Sequence, residues 1–313
     1  MKIVFSDQAI FEEYVPYLDA LRPLEGKCEI TAYDESPVDE ETRYERLKDA
    51  EIIVFGVHKF ENAFLERLKR LKNLKMLQFM GTGYANFADP EYCDRAGIIL
   101  AGTEDYGSNA VAEYAIAQVF TLARNTARAD RYMRDGRWIY DGLEGVEIEG
   151  STFGVLGTGN IGRLVAQKAH ALGAKVIAND VFESDELKGC GIPYVGLEEL
   201  FERSDILSVH VKYLSATKGM VSATLIRRMK RGALFVNCSR AEVVDYDALT
   251  TALSEGTIAG AALDVFYDEP LGDFSICRLP NVVTSPHIGY FTGKAKGKCL
   301  RMCIDSIAER MKL

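Results

Sequence analysis

The feature that most constrains this chain is a glycine signature whose surroundings agree with it. Gly157-Thr158-Gly159-Asn160-Ile161-Gly162 follows the apolar run Phe153 to Leu156 directly and opens a helical pattern over Ile161 to Leu172. Each glycine has a physical role, namely a tight turn, close backbone approach to a pyrophosphate, and close packing of helix on strand. Alone, the motif fits any glycine-rich turn. Here it sits between a strand and a helix, and Asp180 follows the next apolar run, Lys175 to Ala178, about 20 residues on. That set predicts a dinucleotide site on Gly157, Gly159, Asn160, Ile161 and Gly162, with Asp180 accepting from the adenosine ribose hydroxyls. No arginine follows within Val181-Phe182-Glu183-Ser184 to meet a 2′-phosphate, so NAD is favoured over NADP.

The pattern around the motif repeats. Before it, Lys2 to Ser6, Glu29 to Ala32, Ile52 to Phe55, Met76 to Phe79 and Ile98 to Ala101 read as short strands, separated by amphipathic stretches such as Asn62 to Leu71. From Ser108 a long helix is expected, with Ser108 or Asn109 as N-cap and Val111, Tyr114, Ala115, Val119 and Leu122 on one face. A second series follows, with strands near Thr152 to Leu156, Lys175 to Ala178, Ile206 to Val211, Ala233 to Asn237, Ala259 to Leu263 and Val282 to Thr284. A helix over Gly293 to Leu313 closes the chain. The βα alternation predicts an α/β fold of mostly parallel sheets, the second of them doubly wound.

Composition narrows the partners. With 37 basic against 46 acidic residues the formal net charge is -9, which disfavours a polyanion surface, so no nucleic-acid partner is expected. No apolar run approaches the roughly 18 residues of a membrane span, so no membrane partner is expected either. Seven cysteines, an odd number, read as reduced thiols. The opening residues read as a strand rather than a signal peptide, and the expected setting is cytoplasmic. Cys299 and Cys303 lie one helical turn apart without a histidine or second cysteine pair to complete a metal site, and core packing is the expectation. Only His58, His170, His210 and His287 can supply an imidazole.

Three strand ends carry the remaining chemistry. Phe235-Val236-Asn237-Cys238-Ser239-Arg240 delivers a guanidinium suited to a bidentate pair with a carboxylate. Leu263-Asp264-Val265-Phe266-Tyr267-Asp268-Glu269-Pro270 delivers carboxylates, and Thr284-Ser285-Pro286-His287 delivers an imidazole.

In this order the motifs resemble the D-isomer-specific 2-hydroxyacid dehydrogenase family, nearly from end to end. The resemblance implies two doubly wound parallel-sheet domains: a Rossmann NAD-binding domain over 103–290, inserted into a flavodoxin-like substrate domain of 1–102 and 291–313. It implies reversible, NAD-dependent interconversion of a small anionic 2-keto acid and a D-2-hydroxy acid. His287 would be the acid/base, Glu269 its orienting partner and Arg240 the carboxylate binder, also beside the cofactor. Asp264 would contact the nicotinamide carboxamide, with Cys238, Ser239 and His287 lining the same ring. Substrate contacts fall in the glycine-rich loop Met80 to Asn86, at Thr82 and Gly83. A homodimer is implied, with Trp138 in an interdomain or dimer-forming arm.

Glutamate rather than glutamine at 269 argues against a formate-oxidising relative, where no proton need be removed. Departures stand at Ala241 for a usual glycine, Lys212 for a usual proline and Tyr290 for a frequent tryptophan; the first bears on the loop carrying Arg240. Two alternatives remain open: action on a phosphorylated hydroxy acid or another anion, and a non-catalytic NADH-sensing protein of the same fold.

Overall fold

A computed structural model describes residues 1–6, 15–33, 37–71 and 73–312. They form two compact units, Met1–Gly107 with Phe291–Leu313, and Ser108–Tyr290. The first crossing falls at Gly107 to Ser108, a few residues beyond the position expected from the sequence.

In the first unit, β1 (Lys2–Phe5), β2 (Glu29–Ala32), β3 (Ile52–Phe55), β4 (Met76–Phe79) and β5 (Ile99–Ala101) form a parallel sheet in the order β2-β1-β3-β4-β5. This is the flavodoxin-like order. β3 and β4 are buried at every residue, as a strand covered on both faces must be, and so their sequences are continuous apolar runs. One face carries Phe55, Phe60, Phe64 and Leu65; the other carries Ile3, Ile52, Leu300 and Ile304, the last two from the terminal helix Gly293–Met311. Cys299 and Cys303 are fully buried in that second cluster.

In the second unit, β6 (Thr152–Leu156), β7 (Lys175–Asn179), β8 (Ile206–Val209), β9 (Leu234–Asn237), β10 (Gly260–Leu263) and β11 (Val282–Thr284) form a six-stranded parallel sheet. The order is β11-β10-β9-β8-β6-β7, so β6 has its sequence successor on one side and β8 on the other. The chain changes winding direction at β6, and the crevice beyond its carboxyl end is where such sheets take ligands. Because every pairing is parallel, the carboxyl ends of all six strands share that edge.

Several boundaries shift by a residue or two from expectation, and two of them, with one packing face, bear on the residues singled out above. β8 ends at Val209, so His210 and Val211 lie in the loop beyond it. The helix Ser108–Ala123 begins at Ser108 and contains Asn109, so neither residue stands before it as a cap. Its covered face is set by Ala112, Ala115 and Val119, each fully buried, while Val111 and Tyr114 are only partly covered. Among the described residues, no helix is long and apolar enough to cross a membrane.

Candidate active site

All of the motif residues in the second unit lie at one edge of its sheet: Gly157 to Gly162 after β6, Asp180 after β7, His210 after β8, Arg240 after β9, Asp264 and Glu269 after β10, and His287 after β11.

The glycine loop has the shape its sequence requires. Gly157 has φ +88, and a Cβ there would lie 2.8 Å from the His210 carbonyl carbon. A Cβ on Gly162 would lie 1.8 Å from the Gly157 carbonyl oxygen, so a side chain is excluded by backbone alone. A Cβ on Gly159 would meet nothing within 4 Å, so that glycine borders open space. Gly159 precedes the helix Asn160–Ala171 and no side chain caps its amides, which leaves the positive end of the helix facing that space. The Asp180 carboxylate is fastened beside the loop: Oδ2 accepts from the Thr158 amide at 2.5 Å, and Oδ1 from the Phe182 amide at 3.1 Å. Tyr194 donates to the Thr158 hydroxyl at 2.8 Å. A glycine turn that admits no side chain at two of its positions, an uncapped helix terminus and a carboxylate at the next strand end fit the phosphates and ribose of NAD.

His287 and Glu269 meet directly, with Nδ1 2.7 Å from Oε2. The other carboxylate oxygen accepts from the Phe266 amide at 3.0 Å, so the glutamate is held from both ends. Burial, the largest single influence, pushes the Glu269 carboxyl up. The hydrogen bond and charge of His287, the Phe266 amide and the Arg240 guanidinium together outweigh it and hold the carboxyl below its ordinary value. His287 has φ +56, the left-handed region that asparagine, aspartate and histidine tolerate best among non-glycine residues.

The loop carrying His287 hangs on Asp264. This side chain is 2% exposed; Oδ1 accepts from the Ser285 hydroxyl at 2.6 Å and the Ile288 amide at 2.9 Å, and Oδ2 from the Gly289 amide at 2.8 Å. Asp264, for which the resemblance implies a cofactor contact, thus has both oxygens engaged by the loop on either side of His287. Sequence reasoning took Asp264 as a ligand contact and missed this second role, because no local spacing signals a side chain that accepts from backbone more than 20 residues away.

Arg240 follows Asn237, which is fully buried. Asn237 Oδ1 accepts from the Ser239 amide at 3.0 Å and the Ser239 hydroxyl at 2.8 Å, and Nδ2 donates to the Arg240 carbonyl at 3.1 Å. Arg240 Nη1 donates to the Ser239 carbonyl at 2.7 Å. Cys238 is buried, and that burial pushes its thiol well up. Ala241 is buried in a short 3-10 turn and does not adopt positive φ, so the departure from glycine leaves the Arg240 loop unstrained.

Among the other imidazoles, His210 is set apart by its burial. His210 is held down to about 3 by burial, and Nε2 lies 2.7 Å from the Ser208 hydroxyl; it is neutral across the physiological range. Tyr290 sets its ring edge-on to His287 with centroids 6.3 Å apart. In the first unit, Thr82 donates to the Thr103 carbonyl at 3.0 Å, and Gly83 turns the chain with φ +93.

Residues 116–289 match the family described as D-isomer specific 2-hydroxyacid dehydrogenase, NAD binding domain. The chain belongs to that family. It is therefore an NAD-dependent oxidoreductase built on two α/β domains, the second a Rossmann domain. Among curated relatives, the glyoxylate reductase of Korarchaeum cryptofilum is 34% identical over 280 residues, covering 88% of this chain and 83% of the relative. The glycerate dehydrogenase of Methylorubrum extorquens is 31% identical over 98% of this chain and 95% of its own. Among solved structures, the D-lactate dehydrogenase of Aquifex aeolicus, complexed with NAD and lactic acid, superposes with a TM-score of 0.84 at 30% identity, covering all of this chain and 96% of the other.

Proposed function

We propose that this dehydrogenase interconverts a small 2-keto acid and the corresponding D-2-hydroxy acid, with His287, Glu269 and Arg240 as its catalytic residues. The observation that carries the reading is the 2.7 Å contact between His287 Nδ1 and Glu269 Oε2. A carboxylate there takes the Nδ1 proton as its hydrogen-bond partner, which leaves Nε2 as the atom that gives or takes a proton. In reduction, protonated Nε2 delivers its proton to the keto oxygen, and the Glu269 charge stabilises the imidazolium beforehand. Arg240 pairs with the substrate carboxylate and stabilises negative charge as it develops on the keto oxygen. NADH, when bound, supplies the hydride to the keto carbon. Gly157, Gly159, Asn160, Ile161 and Gly162 would hold its phosphates and Asp180 its ribose, while Cys238, Ser239 and Asp264 would bound the nicotinamide end. Thr82 and Gly83 belong to the substrate side.

The unit Ser108–Tyr290 would be the cofactor domain and the other the substrate domain. A homodimer belongs to the same reading, supported by the 82% and 80% exposure of Trp138 and Tyr140; sedimentation of the pure protein measures it. So does a cytoplasmic setting, in keeping with seven free thiols.

The relatives act, by their names, on glyoxylate, glycerate and lactate, which sets the panel: glyoxylate, pyruvate, the keto acid of glycerate and a phosphorylated keto acid. Loss of absorbance at the reduced-nicotinamide band with an unphosphorylated member is the expected result. His287→Ala should lower kcat by about 10²- to 10⁴-fold while leaving NADH affinity near that of the parent. Turnover confined to the phosphorylated acid would replace the substrate reading, and NADH binding without turnover on any acid would replace the enzyme reading with a sensor.

A further inference from the structure

Tyr246 lies outside every motif named above, yet its hydroxyl joins the two loops on which the proposed chemistry rests. It opens the helix Tyr246–Ser254 that follows the Arg240 loop, and it is buried, with its titration pushed far above the ordinary phenol range by desolvation. The hydroxyl donates to the Val265 carbonyl at 2.7 Å and accepts from Asn237 Nδ2 at 3.2 Å. Val265 belongs to the segment that continues to Glu269; Asn237 holds Ser239 and Arg240.

The direction of these bonds is forced. A carbonyl can only accept, so the single phenolic proton goes to Val265 and the Tyr246 oxygen is left as acceptor. Asn237 Nδ2 faces Tyr246 and the Arg240 carbonyl, and Oδ1 faces the Ser239 amide and hydroxyl, an orientation that the Ser239 N–H and the Arg240 carbonyl also require. The hydroxyl therefore bridges an amide already set by the Arg240 turn to the carbonyl of Val265. Aromatic contacts stiffen the joint. The Tyr246 ring meets Tyr267 edge-on at 5.3 Å between centroids and Phe266 at 6.5 Å, and the Tyr267 hydroxyl donates to the Val244 carbonyl. The segment before Glu269 is thus tied to the segment after Arg240 twice.

We propose that Tyr246 is a positioning residue for the reaction: through its hydroxyl it bridges Asn237 to the Val265 carbonyl and so sets the loop of Arg240 against the loop of Glu269. The inference rests on the reading of Arg240 as the carboxylate binder.

Tyr246→Phe keeps the ring packing and removes only the hydroxyl, leaving the Val265 carbonyl and one Asn237 N–H without partners. The expected result is a rise in KM for the keto acid of about ten-fold, with the Kd for NADH within about two-fold of the parent. A merely structural tyrosine would lower the unfolding midpoint and leave that KM unchanged, which would overturn the proposal. Should Tyr246→Phe fail to fold, Asn237→Asp tests the same joint from its other side: it removes the NH2 that faces Tyr246, and an unchanged keto-acid KM would again overturn the proposal. Combining Tyr246→Phe with Arg240→Lys should give less than the product of the single effects, because both act through the same guanidinium. If Arg240→Lys alone leaves keto-acid KM at the parental value, the carboxylate-binder reading fails. If Arg240→Lys raises KM and Tyr246→Phe does not, only the positioning role fails.

Discussion

The loop after β4 in the first unit and the loops after β9 and β11 in the second are fastened by different means. In the first, Gly81 accepts from the Thr103 amide at 3.0 Å, Thr82 donates to the Thr103 carbonyl, and Gly83 supplies the turn with a left-handed backbone. In the second, the turn carrying Arg240 hangs on the side chain of Asn237, and the turn carrying His287 on that of Asp264. The Gly81 carbonyl bond and the Gly83 turn lie in the main chain and only the Thr82 hydroxyl is a side-chain tie, so such a loop can change most of the side chains it displays while keeping its shape. Side-chain fastening makes the geometry depend on single residues. A proposed substrate-selecting loop of the first kind and proposed catalytic loops of the second would let specificity vary while the chemistry is preserved.

The largest expected effect breaks the second unit at its glycine turn. Gly162→Ala drives a methyl group into the Gly157 carbonyl, with backbone on both sides of the clash, and should lower stability by roughly 3 kcal/mol in urea unfolding. Gly159→Ala, with open space around it, should unfold as the parent does and lose NADH affinity in a fluorescence titration. Next comes Asp264→Ala, which strips the acceptor from one hydroxyl and two amides and should lower stability by roughly 2 kcal/mol, with kcat falling further than the Kd for NADH rises. Retained kcat in that variant would show that the His287 loop does not depend on its buried carboxylate.

A smaller effect sharpens the electrostatics. Glu269 lies below its ordinary value in the folded chain, so the stabilisation it contributes is present above the usual glutamate range and is lost as pH falls through the lowered value. Glu269→Gln removes this acid-side loss. The same change deprives the imidazolium of its anionic partner, so kcat for keto-acid reduction should fall by about ten-fold or more. An unchanged kcat would separate Glu269 from the proton transfer. The smallest effect belongs to the first unit: Thr82→Ala removes one hydrogen bond to a carbonyl and should cost about 1 kcal/mol or less of stability, read from the thermal midpoint, with NADH affinity unchanged.

The contrast also explains how much could be read from sequence. β3, β4, β6 and β11 match their expected bounds because strands within such sheets read as apolar runs, and the edge strand β2 matches although its residues are mixed. β8 was overrun because His210 and Val211 continue an apolar-looking run past the last ladder pair, at Val209. The glycine loop was legible because its residues need particular backbone space. Arg240, Glu269 and His287 are read as proposed site residues from their strand ends and by resemblance. What fastens them is not, because Asn237, Asp264 and Tyr246 act by hydrogen bonds across long stretches of chain, and several of the partners are backbone atoms that carry no sequence signal.

The left-handed backbone at His287 has a practical consequence for protein engineering. A variant meant to trap substrate without turning it over needs a residue at that position that keeps the turn as well as lacking an imidazole. A β-branched replacement would oppose φ +56, whereas asparagine accepts it and offers a neutral amide of similar reach. His287→Asn is therefore the inert version to crystallise with the full panel of acids, since a valine there would alter the turn it was meant to preserve.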